Sequence, residues 1–97
     1  MTDSTVSGNL TGDSGGGVFL NTNATATVKN STVSGNSARG QFGGGGGFFN
    51  HGNLTITQST ISGNSTTAFR PDAGVDGGCG IYNFGVLTVT ASTISAN

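Results

Sequence analysis

The chain has 97 residues, a formal net charge of −1 and only 7% charged residues, against roughly 25% in an ordinary soluble domain. Lys29, Arg39 and Arg70 are scattered, so there is no basic stripe to neutralise phosphates, which excludes nucleic acid as a partner. No apolar run approaches the roughly 18–20 residues of a transmembrane helix, and a single cysteine, Cys79, excludes an internal disulfide.

The first element is Ser4-Thr5-Val6-Ser7-Gly8-Asn9, and it recurs. Ser31-Thr32-Val33-Ser34-Gly35-Asn36 lies 27 residues on, Ser59-Thr60-Ile61-Ser62-Gly63-Asn64 a further 28, and Ser92-Thr93-Ile94-Ser95-Ala96-Asn97 a further 33. A period in this range means that each repeat cannot bury its apolar face alone and must stack on its neighbours. The regular placement of Val, Ile, Leu and Phe also argues against disorder, which the 19 glycines and the Ser, Thr and Asn content would otherwise suggest.

After the first hexapeptide come Gly15-Gly16-Gly17-Val18-Phe19-Leu20-Asn21 and then Ala26-Thr27-Val28-Lys29, which leads into the second hexapeptide. The second repeat reads Gly45-Gly46-Gly47-Phe48-Phe49-Asn50 and Leu54-Thr55-Ile56-Thr57, and the third Gly78-Cys79-Gly80-Ile81-Tyr82-Asn83 and Leu87-Thr88-Val89-Thr90. The first Gly-rich stretch is one residue longer before its Asn. Alternation of β-branched and polar residues with period 2 predicts short strands, and a helix is disfavoured by both period and propensity.

The expected fold is all-β: a right-handed parallel β-helix of about three coils over residues 1–97, with three short strands per coil. Each coil advances about 4.8 Å. Val28, Ile56 and Val89 are expected to stack in one inward file, Ala26, Leu54 and Leu87 in a second, and Val6, Val33, Ile61 and Ile94 in a third. Phe48 and Ile81 point inward, and Cys79, of the same parity, is expected to be buried. Asn9, Asn36, Asn64 and Asn97 close their strands, where Asn suits a left-handed turn and a hydrogen-bonded ladder. With neither end capped by a polar element, the segment reads as an excerpt of a longer array, and its exposed coil ends predict self-association.

Loops leave the solenoid after the second and third hexapeptides. Ser37–Phe42 is the shorter; Ser65–Asp76 lengthens the third interval and holds the only proline, Pro71. Such insertions often form a binding face, which makes Arg39, Phe42, Phe69, Arg70, Asp72 and Asp76 candidate contact residues, with Arg39 and Arg70 on the same side. The second candidate is an outward file of Thr5, Thr32, Thr60 and Thr93, flanked by Ser7, Ser34, Ser62 and Ser95.

Residues for chemistry are sparse. There is no Glu, and the four Asp are Asp3, Asp13, Asp72 and Asp76. Two loop carboxylates fall short of the six to eight oxygens that calcium takes, and Gly77-Gly78-Cys79-Gly80-Ile81-Tyr82 puts Tyr where a calcium-binding β-roll repeat needs Asp. The glycine run 43–47 lacks the Gly-Lys-Ser/Thr ending of a phosphate loop. His51, the only histidine, reads as an exposed turn residue with no partner in register. No cofactor, metal or catalytic group is expected.

With its Gly-Gly-x-apolar-aromatic-Asn, Leu-Thr-Ile/Val-Thr and Ser-Thr-Val/Ile-Ser-Gly-Asn units, the chain resembles bacterial β-helix repeat proteins of the cell surface. It is similar to the polymorphic outer-membrane protein repeat type, whose repeats carry Gly-Gly-apolar and Phe-x-x-Asn signatures. Gly45-Gly46-Gly47-Phe48 and Gly78-Cys79-Gly80-Ile81 approximate the first; the second is not cleanly present. The resemblance implies a secreted or surface-displayed stalk or adhesin, extracellular, exported by a signal outside this segment, with a carbohydrate or host-surface ligand and no catalytic residues. The alternatives are a fragment of a polysaccharide-active β-helix lyase or hydrolase, whose clustered carboxylates would lie in other coils, and an ice-binding solenoid using the Thr file.

Overall fold

The computed structural model describes residues 1–40, 44–67 and 78–97. Each hexapeptide forms a three-residue strand: β1 (Thr5–Ser7), β5 (Thr32–Ser34), β9 (Thr60–Ser62) and β13 (Thr93–Ser95). Between them run β2 (Leu10–Thr11), β3 (Val18–Leu20) and β4 (Thr25–Lys29), then β6 (Ser37–Ala38), β7 (Phe48–Asn50) and β8 (Asn53–Thr57), then β10 (Ser65–Thr66), β11 (Ile81–Asn83) and β12 (Val86–Thr90). They assemble into four open sheets, β1-β5-β9-β13, β10-β6-β2, β11-β7-β3 and β12-β8-β4. Every pairing is parallel, so the chain is a right-handed parallel β-helix.

Among the described residues a coil therefore has four strands, not three. The additional strand is two residues long and begins each segment expected to be loop: Ser37 and Ala38 pair with Leu10 and Thr11 below and with Ser65 and Thr66 above. Two residues are too few to show a period, but Ala38 is fully buried there.

The expected inward files are present. Ala26, Leu54 and Leu87 align, as do Val28, Ile56 and Val89, and Val6, Val33, Ile61 and Ile94. Leu54, Ile56, Val33, Ile61 and Phe48 are the centre of the core, with Val6, Val18 and Ile81 packed against it. The first Gly-rich stretch needs no extra residue: Leu20 pairs directly with Asn50, which pairs with Asn83. Asn50 Nδ2 donates to Asn83 Oδ1 at 2.7 Å and to Val86 O at 3.0 Å, while its Oδ1 accepts from Gly52 N. Leu20 fills that place in the first coil with an apolar, buried side chain. Cys79 corrects an expectation: it is only half-buried. It lies just past the long insertion, with Sγ 3.6 Å from Thr66 Oγ1.

The hexapeptide explains its own composition. Its leading Ser follows a turn residue with positive φ: Asp3 at 49°, Asn30 at 50°, Gln58 at 51° and Ala91 at 48°. Ser31, Ser59 and Ser92 each donate Oγ–H to the carbonyl two residues back, at 2.8 Å, closing that turn. The same oxygens accept the backbone N–H of the Ser one coil below. At the other end, Asn36 Oδ1 accepts both N and Nδ2 of Asn9, Asn64 Oδ1 both of Asn36, and Asn97 Oδ1 both of Asn64, all at 2.8–3.1 Å. Asn36, Asn64 and Asn97 also donate Nδ2 to the carbonyls of Val6, Val33 and Ile61 one coil below. No buried side-chain nitrogen or oxygen lacks a partner among the described residues. The amide needs space, and glycine provides it: a Cβ on Gly47 would come within 3.1 Å of Asn64 Nδ2 and 2.5 Å of Gly80 O.

Two outcomes are expected in denaturant unfolding. Asn64→Ala removes the buried acceptor of Asn36 N and Nδ2 and the donor to the buried Val33 carbonyl, and should lower stability by about 3 kcal/mol, against about 1 kcal/mol for the exposed Asn97→Ala. Ala91→Gly places glycine where an L-residue is held at φ 48° and should raise stability by about 1 kcal/mol.

Candidate functional site

The solenoid wall turns inward residues into core and leaves outward ones as ordered files on its surface. On the β11-β7-β3 sheet the outward file is aromatic, since Phe19, Phe49 and Tyr82 are in register. Phe19 and Phe49 stack with ring centroids 5.0 Å apart and planes 3° from parallel, and Tyr82 continues the file at 5.3 Å, tilted by 45°. Past the strands, the turn residues His51 and Phe84 close on the same patch. His51 stacks on Phe49 and on Phe84, both at 4.9 Å, and Phe84 meets Tyr82 edge-on at 4.7 Å.

Because the rings stack along the solenoid axis, the middle ring loses both faces to its neighbours. Phe49 points outward yet is only 9% exposed, whereas Phe19 and Phe84 are 53% and 61% exposed. Free aromatic surface is thus concentrated on those two rings, which bracket a strip whose ring contacts among the described residues are with Phe, Tyr and His. His51 is exposed as expected, but it is part of an aromatic cluster rather than an isolated turn residue. The alignment of Asn50-His51-Gly52 with Asn83-Phe84-Gly85 carried the signal, since equal positions in neighbouring coils must touch.

The expected hydroxyl file is also present: Thr5, Thr32, Thr60 and Thr93 are in register, with Ser7, Ser34, Ser62 and Ser95 beside them. A second file, Thr27, Thr55 and Thr88, runs along the outer surface of the β12-β8-β4 sheet. Of the loop candidates, Arg39 is exposed and its backbone N–H donates to Thr11 O at 2.9 Å. Phe42, Phe69, Arg70, Asp72 and Asp76 lie outside the described residues. Among the described residues no group of three or more His, Cys, Asp or Glu is placed to hold a metal ion, and no helix is long and apolar enough to cross a membrane.

The strip's two kinds of ring should separate by mutation. Phe49→Ala removes the shared centre of four ring contacts and should cost about 3 kcal/mol of stability. Phe84→Ala, at the exposed rim, should cost less than about 1 kcal/mol, read from urea unfolding midpoints at unchanged slope. Comparison with known proteins adds no relative: no family model, no curated protein and no solved structure matches the chain.

Proposed function

We propose that this chain is a non-catalytic structural and adhesive segment of a secreted or surface-displayed bacterial protein: a rigid β-helical spacer that carries a contact face for a carbohydrate or host-surface ligand. The observation that supports the structural role is the unbroken axial bonding of the hexapeptide. Ser and Asn side chains tie every coil to the next, as a rod needs and as an isolated globular fold does not. The adhesive role is supported by the strip from Phe19 to Phe84. Aromatic faces that include the Tyr82 hydroxyl and the His51 imidazole suit ligands that are apolar on one side and polar at the rim, as sugars are.

The test displays the chain on beads and measures retention on immobilised neutral polysaccharides and host-surface glycans. Retention is expected to fall about tenfold, equivalent to about 1.4 kcal/mol, in the Phe19→Ala/Phe84→Ala double variant, with little change in unfolding midpoint. Equal retention by both proteins removes the strip as the contact face, and shortened polysaccharide chains in the eluate would replace the adhesive reading with a carbohydrate-active one.

A further inference from the structure

The sequence holds five Asn-x-Thr triplets: Asn9-Leu10-Thr11, Asn23-Ala24-Thr25, Asn30-Ser31-Thr32, Asn53-Leu54-Thr55 and Asn64-Ser65-Thr66. Such a triplet is the acceptor pattern for joining a sugar to the Asn amide, and in a chain rich in Asn and Thr it also arises by chance. The fold separates the five. Asn9 Nδ2 donates to Asn36 Oδ1 at 3.0 Å and Asn30 Nδ2 to Asp3 Oδ1 at 2.6 Å. Asn64 Nδ2 donates to Val33 O at 3.0 Å and to Asn97 Oδ1 at 2.8 Å. In those three the nitrogen that would carry the sugar already faces a partner one coil away. Asn23 lies in the turn closed by Ala24 N donating to Asn21 O, with φ at 66°, so it does not share a strand face with Thr25.

Asn53 differs from the other four. It opens β8, its side chain is exposed, and its amide makes no hydrogen bond among the described residues. Its backbone is fixed, since Asn53 N donates to Ala24 O at 2.8 Å. In the sheet it pairs with Thr25 on one side and Val86 on the other, so both neighbouring coils are in place around it. Leu54 is buried in the core, and strand alternation sets Asn53 and Thr55 on the outer face, about 6.6 Å apart along the strand. Thr55 is exposed too. The free amide and the hydroxyl two residues on are thus held side by side on a rigid wall.

We propose that Asn53 is a site of N-glycosylation, modified by a glycosyltransferase that reads Asn53 and Thr55 together and uses a sugar diphosphate as donor. Asn53 Nδ2 forms a bond to the anomeric carbon of the sugar. The bond from that carbon to the diphosphate oxygen breaks, the diphosphate leaves with the electron pair, and one amide proton passes to solvent. The product keeps the fold, because no bond between coils uses this nitrogen. It also suits the face that bears it. Of the outward positions on the β12-β8-β4 sheet only Lys29 is charged, so charge repulsion does little to keep such walls apart, and a bulky hydrated sugar does so without charge. The proposal involves none of the rings between Phe19 and Phe84 and stands whether or not they hold a ligand.

Peptide mass mapping of the protein isolated from its own cells is the test. The peptide that holds Asn53 should carry a sugar mass, and enzymatic release in heavy-oxygen water should leave labelled Asp at that position. A single hexose identifies a nucleotide sugar as donor and a whole oligosaccharide a lipid-linked one; either supports the proposal. The peptide that holds Asn64 should be unmodified. Thr55→Val keeps the β-branched shape and removes the hydroxyl, so in the same cells it should abolish the modification at Asn53 with an unchanged unfolding midpoint. An unmodified Asn53 in the unaltered protein overturns the proposal, as does a sugar on Asn64 of the folded protein or one that persists on Asn53 in the Thr55→Val variant.

Discussion

The structure depends on one repeated contact: an Asn side chain that spans two coils at once. Each amide oxygen takes both nitrogens of the Asn below, and each amide nitrogen gives to the Asn above and to a carbonyl beneath. A buried amide left unpaired costs about as much as several ordinary hydrogen bonds return, so the ladder is stable only when neighbouring coils stand in one register. Slippage of the β5 strand by a single residue would break the ladder at Asn36 and also turn Val33 out to solvent. Polar and apolar columns thus enforce the same alignment, and strands of two and three residues, far too short to persist alone, can hold a sheet.

That double constraint accounts for which parts were legible in the sequence. The hexapeptide repeats because every residue in it has an axial duty, and its period alone locates Val6, Val33, Ile61 and Ile94 in one column. The strand Ser37–Ala38 was hidden because its partners, Leu10–Thr11 and Ser65–Thr66, share no residue type that marks an inside and an outside. Leu20 was misaligned for a related reason. Asn21 resembles the Asn50 position, whereas the backbone register gives that position to Leu20, which fills by apolar burial the place that Asn50 fills by hydrogen bonds. Cys79 followed the parity of Ile81, but parity fixes direction and not cover, and both residues are only half-buried.

The aromatic strip shows where repetition loosens. Inward apolar positions vary only between Val, Ile, Leu, Ala and Phe, while the turn after each β3-type strand carries Asn21, His51 or Phe84 in successive coils. Outward positions are free of the jigsaw of the core and can be spent on contact. Their spacing is nonetheless dictated by the core, so side chains far apart in sequence, such as His51 and Phe84, are delivered face to face at 4.9 Å. A solenoid differs here from a loop-built site: rigidity comes with the wall, and what varies is the residue type placed upon it.

The same geometry explains the scarcity of charge. Whatever occupies an outward position meets its counterpart one coil away at about 4.8 Å. Two like charges at that distance repel by about 1 kcal/mol at the dielectric of water and about 3.5 kcal/mol at an effective value near 20. A repeat bearing Lys or Asp in every coil would add that cost at every level, with no opposite charge available from a copy of itself. Thr, Ser and Asn are self-compatible instead, since each both donates and accepts. The few charges present accord with this. Lys29 pairs in register with Thr57, and Asp3 sits under Asn30, which donates Nδ2 to it. A composition that would suggest disorder in a globular chain is here the one that lets identical strands stack.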